Sequence, residues 1–378
     1  MKNIAFYKPS IGSDELEQIK SVLDNKTETS KVVEFEENMA HFVGAKHAIA
    51  TCNATAALHL ALSAIELKRG DKILMSVNTF VNVPEVVRHF DAEPIFIDIN
   101  MEDMNIDLNK FEKALSENKS KKLRGAIISF VSGQTTDLDR LYEIAQKYGI
   151  ILIEDATNAL GVKFNGKLVG SLKADMTIFS TNPSNGKHAV SRDGVIVTNN
   201  EDIATRAKLL RTHAITTTYD EHGNLDYIYD VVDIGHKYDM SELDAAFALS
   251  QLKNTDKFIK RRKEIAKIYE NRLAGLKHIV TPTHKDEHIY TQYIVKVSRN
   301  RDVFARALKE QGIATGLHYI PLHLLSYYKN KYSLKITAFG SALTSYQQIL
   351  SLPMYPSLTD DDVNYVCDKI VEIAETWV

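Results

Sequence analysis

Cysteine is almost absent: Cys52 and Cys367 are the only two in 378 residues, far apart and without a CxxC pair. That excludes a disulfide framework and makes a reducing cytoplasm the natural compartment. Proline (8) and glycine (17) are also scarce, which excludes a collagen-like, low-complexity or disordered chain. An excess of one charge is lacking too. Lys plus Arg is 46 and Asp plus Glu 49, a formal charge of −3. A general nucleic-acid binder normally carries a basic face, although a nucleotide within a small substrate stays open. No apolar run approaches the ~20 residues that cross a bilayer. Met1–Tyr7 is too short and too polar for the apolar part of a signal peptide. Three motifs are missing as well: GxGxxG after a strand, GxxxxGK[ST] and HExxH. The 13 histidines show no metal-ligand spacing.

What is present is a rhythm. Ser13 is placed to cap a helix with apolar positions Leu16, Ile19, Val22 and Leu23, and Phe35, Met39, Phe42 and Val43 mark a second. Short apolar strands then alternate with amphipathic helices. Strands are predicted at His47–Thr51, Lys72–Met75, Pro94–Ile99, Arg124–Phe130, Ile150–Glu154, Met176–Ser180 and Gly194–Asn199. This pattern predicts an α/β fold with a large, mostly parallel sheet covered on both faces. One long helical stretch, Ser241 to Leu276, leads into a smaller C-terminal α/β domain. The expected division is 1–250 for the large domain and 251–378 for the small one.

In such sheets ligands collect beyond the carboxyl ends of the strands. Three of those ends carry chemistry. At Asn53-Ala54-Thr55-Ala56-Ala57 a strand turns into a helix, where backbone N–H groups, the helix dipole and a hydroxyl suit a phosphate. Asp155 follows an apolar strand, where a carboxylate can hold a protonated ring nitrogen. Ser180 ends another strand, and Lys187 lies seven residues beyond it. A partly desolvated lysine can form a Schiff base with an aldehyde. Taken singly, these are a capped helix, a solvated acid and a surface lysine. In this chain order, on successive strand ends, they are specific.

The sequence resembles the DegT/StrS family of nucleotide-sugar aminotransferases over nearly its whole length. Asn53–Leu62 (NATAALHLAL) resembles the SGTAALHLAL segment, Asn78–Val81 the TF segment, Gly133-Gln134 the YGQ turn and Glu154–Leu160 (EDATNAL) EDAAHAL. His318–His323 (HYIPLH) and Leu350–Pro356 (LSLPMYP) are similar to small-domain segments. The resemblance implies the type I fold of pyridoxal 5'-phosphate (PLP) transferases. It implies a homodimer that moves an amino group, from L-glutamate by analogy, to a nucleotide-linked 4-keto-6-deoxy sugar. Carried over by position, Thr55, Ala56 and Ser180 would hold the phosphate. Phe80 would cover the ring, Asp155 would pair with its nitrogen, and Asn158 would lie near its hydroxyl. Lys187 would form the Schiff base. His318, Tyr319 and His323 would meet the substrate.

Two departures leave alternatives open. Gly235–Met240 (GHKYDM) stands where the family has GxNYRM, so Lys237 replaces the Asn that reaches the partner's phosphate. Around the lysine the family reads FSFHPVK then TTGEGG. Counting forward from Ser180 puts the lysine position on Asn185, and counting back from Gly194 puts it on Lys187. His188 keeps a sugar dehydratase in view, and the rebuilt loop a non-catalytic member.

Overall fold

The structure, a computed structural model, describes residues 2–181, 190–217, 228–283 and 285–376. Helices α1 (Ser13–Leu23) and α2 (Lys31–Val43) come first. Ser13 is the first residue of α1 rather than its cap. The chain enters from extended Gly12, whose N–H is taken by the Glu15 carboxylate at 2.7 Å, so the start is closed from within the first turn.

Then follow β1 (His47–Thr51), α3 (Ala54–Ala64), β2 (Lys72–Ser76), α4 (Asn82–Arg88), β3 (Glu93–Ile97), α5 (Leu108–Glu117), β4 (Leu123–Ser129), α6 (Leu138–Tyr148) and β5 (Ile151–Asp155). A small hairpin, β6 (Lys163–Phe164) and β7 (Lys167–Leu168), precedes β8 (Met176–Phe179), β9 (Gly194–Thr198) and α7 (Glu201–Arg211). Seven strands form one sheet in the order β1-β9-β8-β5-β4-β2-β3. Pairing is parallel from β8 to β3, and β9 alone runs against its neighbours. The expected mostly parallel sheet is therefore present.

Side-chain alternation splits the core between the two faces. Ala126 and Ile128 of β4 join Phe35, Met39, Phe111 and Leu141 on one face. Ile127 between them joins Leu58, Leu62, Val83, Val87 and Leu210 on the other.

A short antiparallel pair, β10 (Ile215–Thr217) and β11 (Tyr229–Val231), leads to α8 (Glu242–Lys253) and α9 (Thr255–Leu273). The single helix expected from Ser241 to Leu276 is broken at Asn254. Its carboxamide turns back to donate to the Ser250 carbonyl at 2.9 Å, a bond that competes with helix continuation. Helix α8 belongs to the large core through Ala245, Ala248 and Leu252. Helix α9 belongs to a second core through Ile265, Tyr269 and Leu273. That core surrounds a three-stranded antiparallel sheet of β12 (Ile279–Val280), β13 (Tyr293–Val297) and β14 (Ile349–Leu352). Helices α10 (Arg301–Glu310) and α13 (Asp360–Glu375) cover it; α11 (Ser326–Lys331) and α12 (Gly340–Gln348) lie between them in the chain.

The first residues of the chain join this second core. Ile4 is buried there, its N–H donating to the Gly312 carbonyl at 2.8 Å and its carbonyl accepting from Ala314 at 3.0 Å. Among the described residues no helix is long and apolar enough to cross a membrane.

Candidate active site

The turn from β1 into α3 rests on Gly194. A Cβ there would lie 2.4–2.5 Å from the Asn53 carbonyl and the Ala54 nitrogen, so only glycine allows this approach. Asn53, in extended conformation, caps α3 by accepting the Ala56 N–H at 2.9 Å. The Ala56 amide is thus spent inside the helix start. At this turn the N–H groups of Ala54 and Thr55 have no acceptor among the described residues. The exposed Thr55 hydroxyl accepts from Asn82 at 3.3 Å and retains its own proton for a ligand. Helix dipole, two open amides and a hydroxyl make an anion site.

Strand β5 ends in two acids that alternation sends to opposite sides. Glu154 points into the α6 face, where it accepts from Tyr142 at 2.6 Å and Thr177 at 2.8 Å. Burial raises its pKa to about 7. Asp155 is 7% exposed and paired in register with Ser129 of β4. It accepts from Ser129 Oγ at 2.9 Å and from Thr157 Oγ1 at 2.8 Å. Burial pushes its pKa up, and these donors work against the rise. A carboxylate so held is ready for a positively charged partner.

Beside it, residues from distant parts of the chain converge. Phe80 is 56% exposed, and its ring centroid lies 6.0 Å from that of Tyr319. Asn158 Nδ2 donates to the Tyr319 hydroxyl at 3.3 Å, and Tyr319 N donates to Asn78 Oδ1 at 3.3 Å. Burial first, and then the Asp155 charge, raises the Tyr319 pKa, so Tyr319 stays a phenol. Its segment is docked on the end of β2, with Leu322 N donating to the Val77 carbonyl at 2.9 Å.

The remaining predicted residues are placed differently. His318 is buried, within 2.8 Å of Ser351 Oγ and stacked on Phe6, and burial lowers its pKa to about 4. His323 is 0% exposed and stacks on Phe339 at 5.0 Å, near a separate apolar cluster. The structure does not bring it to the cleft. Ser180 donates to the buried Asp193 at 3.0 Å, and the Thr181 N–H donates to the same carboxylate at 2.6 Å. Lys237 is exposed and pairs with Asp239 at 2.8 Å. Lys187, with Asn185 and His188, lies outside the described residues. Ser129 and Asp193 carried no motif in the sequence; the signal for Ser129 was its position at a strand end.

An anion turn, a buried strand-end carboxylate and an exposed aromatic face fit a phosphorylated pyridine ring. Together with the sheet order they define a PLP-dependent transferase of the aspartate-aminotransferase fold. The profile of the DegT/DnrJ/EryC1/StrS aminotransferase family matches residues 9–371, and the chain belongs to that family. It is an enzyme of the PLP-dependent sugar aminotransferase kind.

The chain is 34% identical to uncharacterized protein MJ1066 of Methanocaldococcus jannaschii, covering 97% of this chain and 96% of that one. It is 32% identical to the spore coat polysaccharide biosynthesis protein SpsC of Bacillus subtilis, again over 97% and 96%. Among solved structures, the PLP form of the putative sugar aminotransferase Spr1654 of Streptococcus pneumoniae superposes with a TM-score of 0.89 at 26% identity, covering 99% of both chains.

Proposed function

We propose that this enzyme transfers an amino group from L-glutamate to a nucleotide-linked 4-keto-6-deoxy sugar. The observation that carries the site is Asp155, buried at the end of β5 and flanked by Phe80, Asn158 and Tyr319, in the same fold as the anion turn at Thr55. When bound, PLP supplies an aldehyde that exchanges amines and a ring that stores electron density. This chain's residues do the rest. Asp155 holds the proton at the ring nitrogen. Thr55 and the Ala54 and Thr55 amides hold the phosphate, with Ser180 at its side. Phe80 covers one face and excludes water. Lys187 would hold the cofactor at its aldehyde and carry the proton. His318, buried against Ser351 and Phe6, lies next to Tyr319 at the proposed substrate side. The 4-keto-6-deoxy assignment rests on the likeness of the His318–His323 segment to C4-specific relatives.

The same reading includes a homodimer in the cytoplasm, with Lys237 serving the partner's phosphate. Tyr229, Val231, Val232 and Ile234 form an apolar, exposed run beside that segment, Ile234 being 87% exposed. Such a run favours burial against a second copy. Sedimentation of the parent as a dimer and of Ile234→Asp as a monomer is expected; an active parent monomer would contradict the shared site.

The substrate assignment is tested by incubating the PLP-loaded enzyme with L-glutamate and a panel of nucleotide keto sugars. Mass spectrometry should show the amino sugar and NMR should place nitrogen at C4. Amination only at C3 overturns the regiochemistry, and elimination of water with no nitrogen gained overturns amino transfer.

A further inference from the structure

Asn158 is held from three sides. Thr291 Oγ1 lies 2.8 Å from the Asn158 main-chain carbonyl and 3.2 Å from Gln292 Oε1, sharing its proton between them. Gln292 Nε2 donates to Asn158 Oδ1 at 3.0 Å. Asn158 Nδ2 is thereby turned the other way, toward the Tyr319 hydroxyl at 3.3 Å. Gln292 is itself 2% exposed. Its backbone is fixed on both sides: Thr291 N donates to the Ser132 carbonyl at 3.1 Å, and Tyr293 is paired with Leu352 at the start of β13. A rigid residue of the small domain thus sets the orientation of a carboxamide in the large one.

A carboxamide has a donor end and an acceptor end of nearly equal shape, so only its neighbours decide which end a ligand meets. We propose that Gln292 is a positioning residue: by occupying Asn158 Oδ1 it commits the N–H end of Asn158 to the cleft. A ligand oxygen there meets donors, Asn158 N–H and the proton of the un-ionised Tyr319. That suits the ionised ring oxygen of PLP. The inference rests on the PLP reading above and adds the residue that sets the polarity of that edge. A donor facing the oxygen favours its deprotonated form and tightens binding.

Gln292→Glu separates this role from packing. A carboxylate of the same length can only accept, so Asn158 must turn Nδ2 toward it and present Oδ1 to the cleft. The test uses full-length protein with added PLP, measuring the cofactor dissociation constant and the pH midpoint of its visible absorption band, with melting temperature as a stability control. Gln292→Glu is expected to weaken PLP roughly tenfold and raise the midpoint by about one unit, the equivalent of one lost charge-assisted hydrogen bond. Gln292→Met, which frees the carboxamide without reversing it, should give the same changes at smaller size. Combining Gln292→Met with Asn158→Ala should do no more than Asn158→Ala alone, because the effect passes through Asn158. A Gln292→Glu protein with the parent's midpoint and affinity overturns the proposal, as does full additivity in the double variant. A parent that shows no band with PLP overturns the cofactor reading and this inference together.

Discussion

The two ends of the site are built in opposite ways. At the ring end, Asp155, Asn158 and Tyr319 are tied to Ser129, Thr157, Gln292 and Asn78 by hydrogen bonds within the fold. At the proposed phosphate end, Thr55 is exposed; Lys237, proposed for the partner's phosphate, is exposed too and pairs with Asp239 at 2.8 Å. The ring end holds a charge whose position decides reactivity, so the fold fixes it beforehand. The turn into α3 offers helix amides and an exposed hydroxyl, groups that favour an anion.

This contrast can be broken most severely at Asp155. Asp155→Asn should retain the parent's melting temperature and lose turnover by ~10²-fold or more, the cost of removing a preorganised electrostatic group. Turnover within a factor of two of the parent would remove Asp155 from its role. Ser129→Ala takes away one of the donors that oppose the burial-driven rise in the Asp155 pKa. The acid limb of the pH–rate profile should move to higher pH and turnover fall about tenfold, in line with one hydrogen bond to a charged group. An unmoved limb would mean that Thr157 alone suffices.

The next experiment sharpens the comparison from behind the phosphate end. His59 of α3 lies against Phe90, His89 and His236, with ring centroids 4.6, 5.5 and 4.9 Å away. Burial first, and then His236 and His89, lowers its pKa to about 4. The folded state therefore binds this proton less readily than the unfolded state, whose value is near 6.5. The stabilisation is complete above about pH 6.5 and is lost as pH falls toward 4. His59→Phe, which keeps the stack on Phe90, should flatten the fall in melting temperature across that window. The gain at pH 5 should be no more than ~1 kcal/mol after allowance for solvent screening. Equal acid sensitivity in parent and variant would place the liability elsewhere. The smallest effect is expected for Lys237→Ala. Stability should be unchanged, and PLP affinity should drop less than about fivefold, the range of an exposed charge pair, with the difference vanishing at high salt.

Much of the ring end was legible in the sequence, because strand ends in a parallel sheet are where chemistry collects and Asp155 follows an unmistakable apolar run. The sheet itself was legible for the same reason, since its strands are buried on both faces. What pairs with Asp155 was less so. Ser129 touches it through strand register between β4 and β5, and Gln292 reaches Asn158 across 134 residues of sequence, contacts that no local pattern announces. His323 carries a ligand-like residue type in a familiar segment, yet packing on Phe339 decides its place. The break at Asn254 was missed because periodicity runs straight across it while a single carboxamide bond ends the helix.

The stitch between Ile4 and the strand of backbone at Gly312 and Ala314 has a consequence for the order of events during synthesis. About 300 residues separate these partners, so the small core cannot close until nearly the whole chain has emerged, and the first residues must wait uncommitted. The large sheet, complete by Thr198, has no such wait. A bulky fusion ahead of Met1 would therefore burden the last step of folding, not the first.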